Sequence, residues 1–230
     1  MSSERVLIID DEPQIVRFLR PSLTAAGYEV VVAVTGGEAL KAAATQSPDV
    51  IVLDLGLPDM DGKDVIRELR SWSKIPIVVL SARDREAEKI AALDLGADDY
   101  INKPFGIGEL TARLRTALRH AAQKSGEQTR LKAGALDVDV LGHAVTLAGK
   151  PVKLTPKEFE LLAVLVRNSG RVLTHRQILA AVWGPAHTED LQYLRVFIGQ
   201  LRQKLKPSAQ APDYILTEPG IGYRFNAEIG

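Results

Sequence analysis

Cysteine is absent from all 230 residues, which excludes disulfides and zinc–thiolate sites and suits a reducing compartment. No apolar run approaches the ~20 residues that a membrane span requires. No signal peptide opens the sequence, so the expectation is a cytoplasmic protein without a membrane partner. Internal repeats and low-complexity tracts are also missing. So is a glycine-rich phosphate-binding turn, because the first apolar run ends in Asp10-Asp11-Glu12-Pro13 and no Walker sequence occurs. That argues against a nucleotide-binding enzyme on a Rossmann-like sheet. Net charge is zero, but the zero conceals an asymmetry. Residues 1–120 carry 15 Lys+Arg against 19 Asp+Glu, and residues 121–230 carry 14 against 10. An acidic front half and a basic back half imply two modules with different partners, the second a candidate for nucleic acid.

The remainder is ordinary for a globular protein, 46% hydrophobic and 25% charged, and long enough for two domains with separate cores. Residues 5–10, 29–33, 50–54, 76–81 and 99–101 are apolar runs that alternate with helical patterns beginning near 13, 35, 62 and 84 and a last one bearing Leu110, Leu114 and Leu118. Such alternation predicts an α/β, doubly wound, five-stranded parallel sheet of flavodoxin-like type. Residues 121–130 are polar and read as a linker between domains at 1–120 and 131–230. Beyond the linker, 136–147 alternates like antiparallel strands. Thr155-Pro156-Lys157-Glu158 and Thr174-His175-Arg176-Gln177 have capping-box spacing. A third helix is expected from Thr188, and a hairpin turns at Glu218-Pro219-Gly220-Ile221-Gly222. A small sheet, three helices and a hairpin describe an α+β winged helix-turn-helix.

In an open parallel sheet the carboxyl ends of the strands share one edge, where ligands bind. Asp10, Asp11, Asp54, Ser81 and Lys103 all follow apolar runs and should meet there. Three carboxylates cannot all ionise cheaply without a cation, and an oxygen-only set suits Mg²⁺. Asp54 lies on a different strand from Asp10 and Asp11, so it can act as a nucleophile toward a phosphoryl donor while that pair holds the metal. Lys103 would neutralise one phosphoryl oxygen, and the Ser81 hydroxyl would bond another. A single acid at a strand end more often caps a helix, and Asp11 or Glu12 could do so. A Mg²⁺-dependent phosphatase would need a general acid and a substrate pocket, neither of which is visible.

Asp10-Asp11-Glu12, Asp54 with Leu57-Pro58-Asp59-Met60-Asp61-Gly62, Ser81-Ala82, Gly96-Ala97-Asp98-Asp99-Tyr100 and Lys103-Pro104-Phe105 resemble the receiver of a two-component response regulator. The resemblance runs through 4–120. It implies that Asp54 accepts a phosphoryl group from a sensor histidine kinase. It also implies Mg²⁺ held by Asp10 or Asp11, Asp54 and the Gly56 carbonyl, and a cis bond at Lys103-Pro104. Tyr100 is implied as a switch that turns inward when Ser81 is drawn to the phosphoryl group. Lys89, Asp98, Asp99, Glu109, Arg113 and Arg119 are implied as the face of a homodimer formed on phosphorylation.

On the third helix of the back half, Leu191, Leu194, Ile198, Leu201 and Leu205 define the expected buried face. The opposite arc holds Thr188, Gln192, Arg195, Val196, Gly199 and Gln203, with Arg202 beside it, and suits reading of a major groove. Gly199 weakens a helix by roughly 1 kcal/mol against alanine. Close approach to DNA and packing against a neighbouring side chain are both candidate reasons. The segments Leu154-Thr155-Pro156-Lys157-Glu158-Phe159, Leu201-Arg202-Gln203-Lys204-Leu205 and Gly220-Ile221-Gly222-Tyr223-Arg224-Phe225 resemble the OmpR/PhoB winged-helix output domain. The resemblance implies double-stranded promoter DNA as ligand and RNA polymerase as a further partner. Arg195 stands where many members carry an acid, and Pro219 replaces a frequent wing arginine, so any wing contact falls to Thr217 or Ile221. The wording of several segments, Leu55-Gly56-Leu57-Pro58 among them, is similar to the branch of the family that controls potassium-uptake operons.

Overall fold

The five front-half runs become β1 (Arg5–Ile9), β2 (Glu29–Ala33), β3 (Val50–Asp54), β4 (Ile77–Ala82) and β5 (Asp99–Lys103). In this computed structural model, which describes residues 3–82, 86–123, 130–206 and 213–226, they form one all-parallel sheet in the order β2-β1-β3-β4-β5. Helices α1 (Pro13–Ala25), α2 (Gly36–Gln46), α3 (Gly62–Trp72), α4 (Glu86–Asp94) and α5 (Ile107–Gln123) follow the strands in turn. Val6 to Ile9 and Val50 to Leu53 are all 0% exposed, because strands covered on both faces bury every side chain. The chain divides into two compact units, Met1–Ser125 and Gly126–Gly230.

Several boundaries differ from the sequence expectation. Strand β5 runs two residues further, because Ser81 and Ala82 of β4 pair with Asn102 and Lys103. Ser81 and Lys103 are therefore held by the ladder itself. Glu12 occupies the N-cap position of α1, but its side chain makes no cap bond, and Pro13 starts the helix without needing one. Helix α5 continues through Gln123 and a strand begins at Arg130. The expected linker at 121–130 thus shrinks at both ends, and its middle, 124–129, lies outside the described residues.

The second unit opens with an antiparallel sheet of β6 (Arg130–Ala133), β7 (Leu136–Asp139), β8 (Ala144–Leu147) and β9 (Lys150–Pro151). Next come α6 (Pro156–Arg167), β10 (Val172–Thr174), α7 (His175–Trp183), a 3-10 turn at Pro185–His187, α8 (Leu191–Leu205), β11 (Ile215–Glu218) and β12 (Gly222–Phe225). Strands β10, β12 and β11 form a second antiparallel sheet with β12 in the middle. Both capping boxes form reciprocally, Thr155 with Glu158 and Thr174 with Gln177. Glu158 is 2% exposed and its carboxylate takes the Lys204 ammonium at 2.6 Å, tying α6 to α8. Burial alone would raise the Glu158 carboxyl, but the Lys204 bond and the Thr155 donors hold it below its ordinary value. Strand β6 was not anticipated. The expected winged helix-turn-helix is otherwise present, although α8 starts at Leu191 and leaves Thr188 outside it.

Candidate functional site

Lys103 Nζ stands among three carboxylates at the sheet edge: 2.7 Å from Asp54, 3.0 Å from Glu12 and 3.5 Å from Asp10. Burial alone would lower its pKa, yet the bonds to Asp54 and Glu12 and the nearby charges raise it above the ordinary lysine value. Asp10 is 0% exposed and accepts the Glu12 amide at 2.8 Å. Burial pushes its carboxyl above the ordinary aspartate range, against the pull of that amide and of Lys103. The second oxygen of Asp54 accepts the Gly56 amide at 2.9 Å. Asp11, by contrast, is exposed. Glu12 was not singled out from the sequence as part of this site. Its freedom from helix capping is what lets it reach Lys103.

The loop after β3 is built to place Asp54. Gly62 donates to the Leu55 carbonyl at 2.9 Å. A Cβ on Gly62 would lie 2.7 Å from Leu55 Cα and 2.8 Å from the Asp54 carbonyl oxygen, so only glycine permits this return. Asp61 caps α3 through the Lys63 amide, and Asp59 accepts the Gly36 and Gly37 amides at the start of α2. Those amides hold the Asp59 carboxyl below its ordinary value. The Lys103-Pro104 peptide is cis.

Receiver domains bind Mg²⁺ at this acidic edge. Among the described residues no three carboxylate or imidazole side chains already converge into a metal cage. Mg²⁺ does not need one, since it takes one or two carboxylates and completes its shell with water and phosphate oxygens. A fully buried Asp10 carboxylate beside Asp54 offers such a pair, and the residues fit the ion.

Ser81 is 4% exposed and its hydroxyl donates to the Ala82 carbonyl at 3.3 Å. Tyr100 is buried, and the Lys89 ammonium lies 5.4 Å from the centre of its ring, within cation–π range. The charged face expected around α4, β5 and α5 is consequently smaller than the sequence implied. Lys89, Asp98 and Asp99 are 3%, 7% and 3% exposed in the single chain. Asp98 takes Arg70 and the Ile77 amide, each at 2.9 Å, and Asp99 takes Arg113 at 3.2 Å. Glu109 and Arg119 do remain exposed, with Arg113 between the two states.

In α8, Leu194, Ile198, Leu201 and Leu205 are buried as expected, whereas Leu191 is 37% exposed. Gln192, Arg195, Val196, Gly199 and Gln203 share the exposed side. Four expected DNA contacts need correction. Thr188 precedes the helix. Arg202 is committed within the unit, donating to the Ile215 carbonyl at 2.8 and 3.1 Å and to the Thr217 hydroxyl at 2.7 Å, which also engages Thr217. Ile221 is 4% exposed and faces inward. A Cβ on Gly199 would meet nothing within 4 Å, which removes side-chain packing as its reason. Gly199→Ala should therefore stabilise the chain by roughly 0.5–1 kcal/mol. Thermal melting should show a higher midpoint, together with weaker binding to DNA. A lower midpoint would mean that the helix surface there is not open.

Residues 6–115 match the family described as response regulator receiver domain, and residues 149–225 match that described as transcriptional regulatory protein, C terminal. The fold and the acid-lined sheet edge thus define a class: the chain belongs to the response regulators of the OmpR/PhoB type, with a receiver and a DNA-binding output domain. The likeness is more particular than the class. Over 220 residues it is 52% identical to the KDP operon transcriptional regulatory protein KdpE of Escherichia coli K12, covering 96% of this chain and 98% of that one. Over 223 residues it is 50% identical to the transcriptional regulatory protein KdpE of Mycobacterium tuberculosis, covering 96% and 99%. DrrB of Thermotoga maritima, a crystal structure of an OmpR/PhoB homologue, matches with a TM-score of 0.50 at 28% identity, covering 98% of this chain and all of that one. Membership implies a histidine kinase and DNA as partners. Among the described residues no helix is long and apolar enough to cross a membrane.

Proposed function

We propose that Asp54 is the phosphoacceptor of a cytoplasmic, non-enzymatic transcription regulator whose kinase is KdpD-like and whose target is a potassium-uptake operon. The observation that carries the first part is the Lys103 ammonium held between Asp54, Glu12 and Asp10 at the sheet edge. An Asp54 oxygen attacks phosphorus, the P–N bond of the kinase phosphohistidine breaks, and its electron pair returns to the imidazole. Lys103 faces the charge that develops on the phosphoryl oxygens, and Ser81 donates its hydroxyl to one of them. Asp10, Asp54 and the Gly56 carbonyl would hold Mg²⁺, with exposed Asp11 reaching it through water. The ion offsets the mutual repulsion of carboxylates and phosphoryl oxygens. An open cavity of about 420 Å³, lined by Gly56, Leu57, Pro58, Asp61 and Glu88, lies against the loop that follows Asp54. The potassium assignment rests on the likeness to the two KdpE proteins. Labelling by acetyl phosphate that requires Mg²⁺, with binding-site selection on genomic fragments before and after labelling, tests the whole reading.

Phosphorylation adds about −1.5 to −2 charges and strong acceptor oxygens at Asp54. Drawn toward them, Ser81 would bias Tyr100 and with it the α4–β5–α5 face toward dimerisation. Glu109 and Arg119, exposed in the single chain, are better probes of that face than buried Lys89. Glu109→Lys with Arg119→Glu should leave the labelled chain monomeric in sedimentation, where the labelled parent is a dimer. Equal masses for all forms would refute the scheme.

Two α8 helices of a dimer would reach half-sites about one helical turn apart, ~10–10.5 bp. Arg195, exposed and without a partner among the described residues, is the first candidate for a contact, with Gln192 and Gln203 behind it. If it reads a guanine edge, Arg195→Ala should cost about 1–3 kcal/mol and relax preference at one position. A phosphate contact would instead weaken all sequences evenly and reduce the salt slope by about 1. Unchanged affinity and salt slope would mean that another side of α8 faces DNA. RNA polymerase is the partner the bound dimer would recruit.

A further inference from the structure

Strands β4 and β5 are in register so that Val79 stands opposite Tyr100 and Ser81 opposite Asn102. Val78, Leu80 and Ile101 belong to the core shared with α1 and α5. Period-two alternation therefore turns Ser81, Tyr100 and Asn102 to the other face of the sheet. There the Asn102 side-chain oxygen is buried and has no hydrogen-bond partner among the described residues. A buried acceptor left unmade is costly, and each one in a folded protein calls for an explanation. Its neighbour across the ladder is Ser81, whose hydroxyl makes a long 3.3 Å bond to the adjoining carbonyl. The two residues are Cα partners on neighbouring parallel strands with side chains on one face, so a change of rotamer is the movement that pairing them requires.

We propose that Asn102 is a positioning residue for phosphorylation, its carboxamide oxygen competing with the phosphoryl group for the Ser81 proton. A hydroxyl has one proton to donate. While Ser81 serves Asn102 it is withheld from Asp54; turned to the Ala82 carbonyl, as here, or to the phosphoryl group, it leaves the Asn102 acceptor orphaned. Asn102 thereby opposes the phosphorylated form and favours the return of Ser81 once the group is lost. The inference rests on the reading of Asp54 as phosphoacceptor.

The test is a double-mutant cycle in the full chain. Labelling by acetyl phosphate in Mg²⁺, and subsequent loss of label, are timed for the parent, Asn102→Leu, Ser81→Ala and the double variant. Removing the competing acceptor should raise the ratio of labelling rate to loss rate about 2- to 10-fold. In the Ser81→Ala background the same change should do nothing, a dependence that a merely structural role would not produce. Asn102→Ala, smaller and equally without an acceptor, should repeat the result if leucine fits poorly by melting. An equal effect of the Asn102 change in both backgrounds, or no effect in either, overturns the inference and leaves the phosphoacceptor reading standing. A parent chain that takes no label overturns both.

Discussion

Asp54→Asn should reduce Mg²⁺-dependent labelling by acetyl phosphate to background while leaving the chain folded. The carboxylate supplies the nucleophilic oxygen, and the amide that replaces it cannot form an acyl phosphate. Other acids nearby do not offer a substitute. Asp10 is 0% exposed and out of reach of a donor, and Glu12 is a solvated side chain, 57% exposed, without the Gly56 amide that orients Asp54. Folding should survive because asparagine is nearly isosteric and Lys103 keeps Glu12 at 3.0 Å as a partner. Label in the parent should be acid-labile, cleaved by hydroxylamine, and reach one phosphoryl group per chain. Undiminished label in the variant would place the acceptor elsewhere and remove the foundation of the proposed function.

The receiver sheet was legible because strands buried on both faces write themselves as unbroken apolar runs. The polar residues that end those runs necessarily gather at one edge. What the sequence concealed depends on partners remote along the chain. Strand β6 reads as polar, and its pairing is reinforced from β7, where Asp137 takes Arg130 at 2.8 Å. Lys89, Asp98 and Asp99 looked like surface charge because nothing local reveals Tyr100, Arg70 and Arg113 closing over them. Arg202 looked like a reader of DNA for the same reason: its acceptors lie 13 and 15 residues away, on β11. The start of α8 was misread from a plausible cap. Thr188 has the right chemistry, but Pro185–His187 forms a 3-10 turn and His187 meets Asp190 at 2.9 Å, which defers the helix to Leu191. Gly199 shows the converse, since only the structure could separate its two candidate reasons.

Gly222→Ala should be the most damaging single methyl group in the output unit. Gly222 starts β12, the middle strand, and pairs with Thr174 on one side and Glu218 on the other. A Cβ there would lie 1.9 Å from the Leu173 carbonyl oxygen and 2.9 Å from Thr174 Cα. Both obstacles are backbone, so no side-chain rotation can relieve them. Strand β10 would have to separate from β12, releasing the ladder that brings Tyr223 and Phe225, 5% and 1% exposed, into the core. Overpacking commonly costs 1–3 kcal/mol, and a clash against fixed backbone belongs at or beyond about 3 kcal/mol. Urea titration followed by Trp183, in chains where the exposed Trp72 is replaced by phenylalanine, reads this unit selectively. The midpoint should fall sharply and DNA binding with it, while labelling at Asp54 persists because the receiver sheet has its own core. Gly199→Ala, an equal change at an open helix position, serves as the control that should move the midpoint upward. A Gly222→Ala chain that melts like its parent would show that β10 and β12 do not approach as closely as their pairing requires.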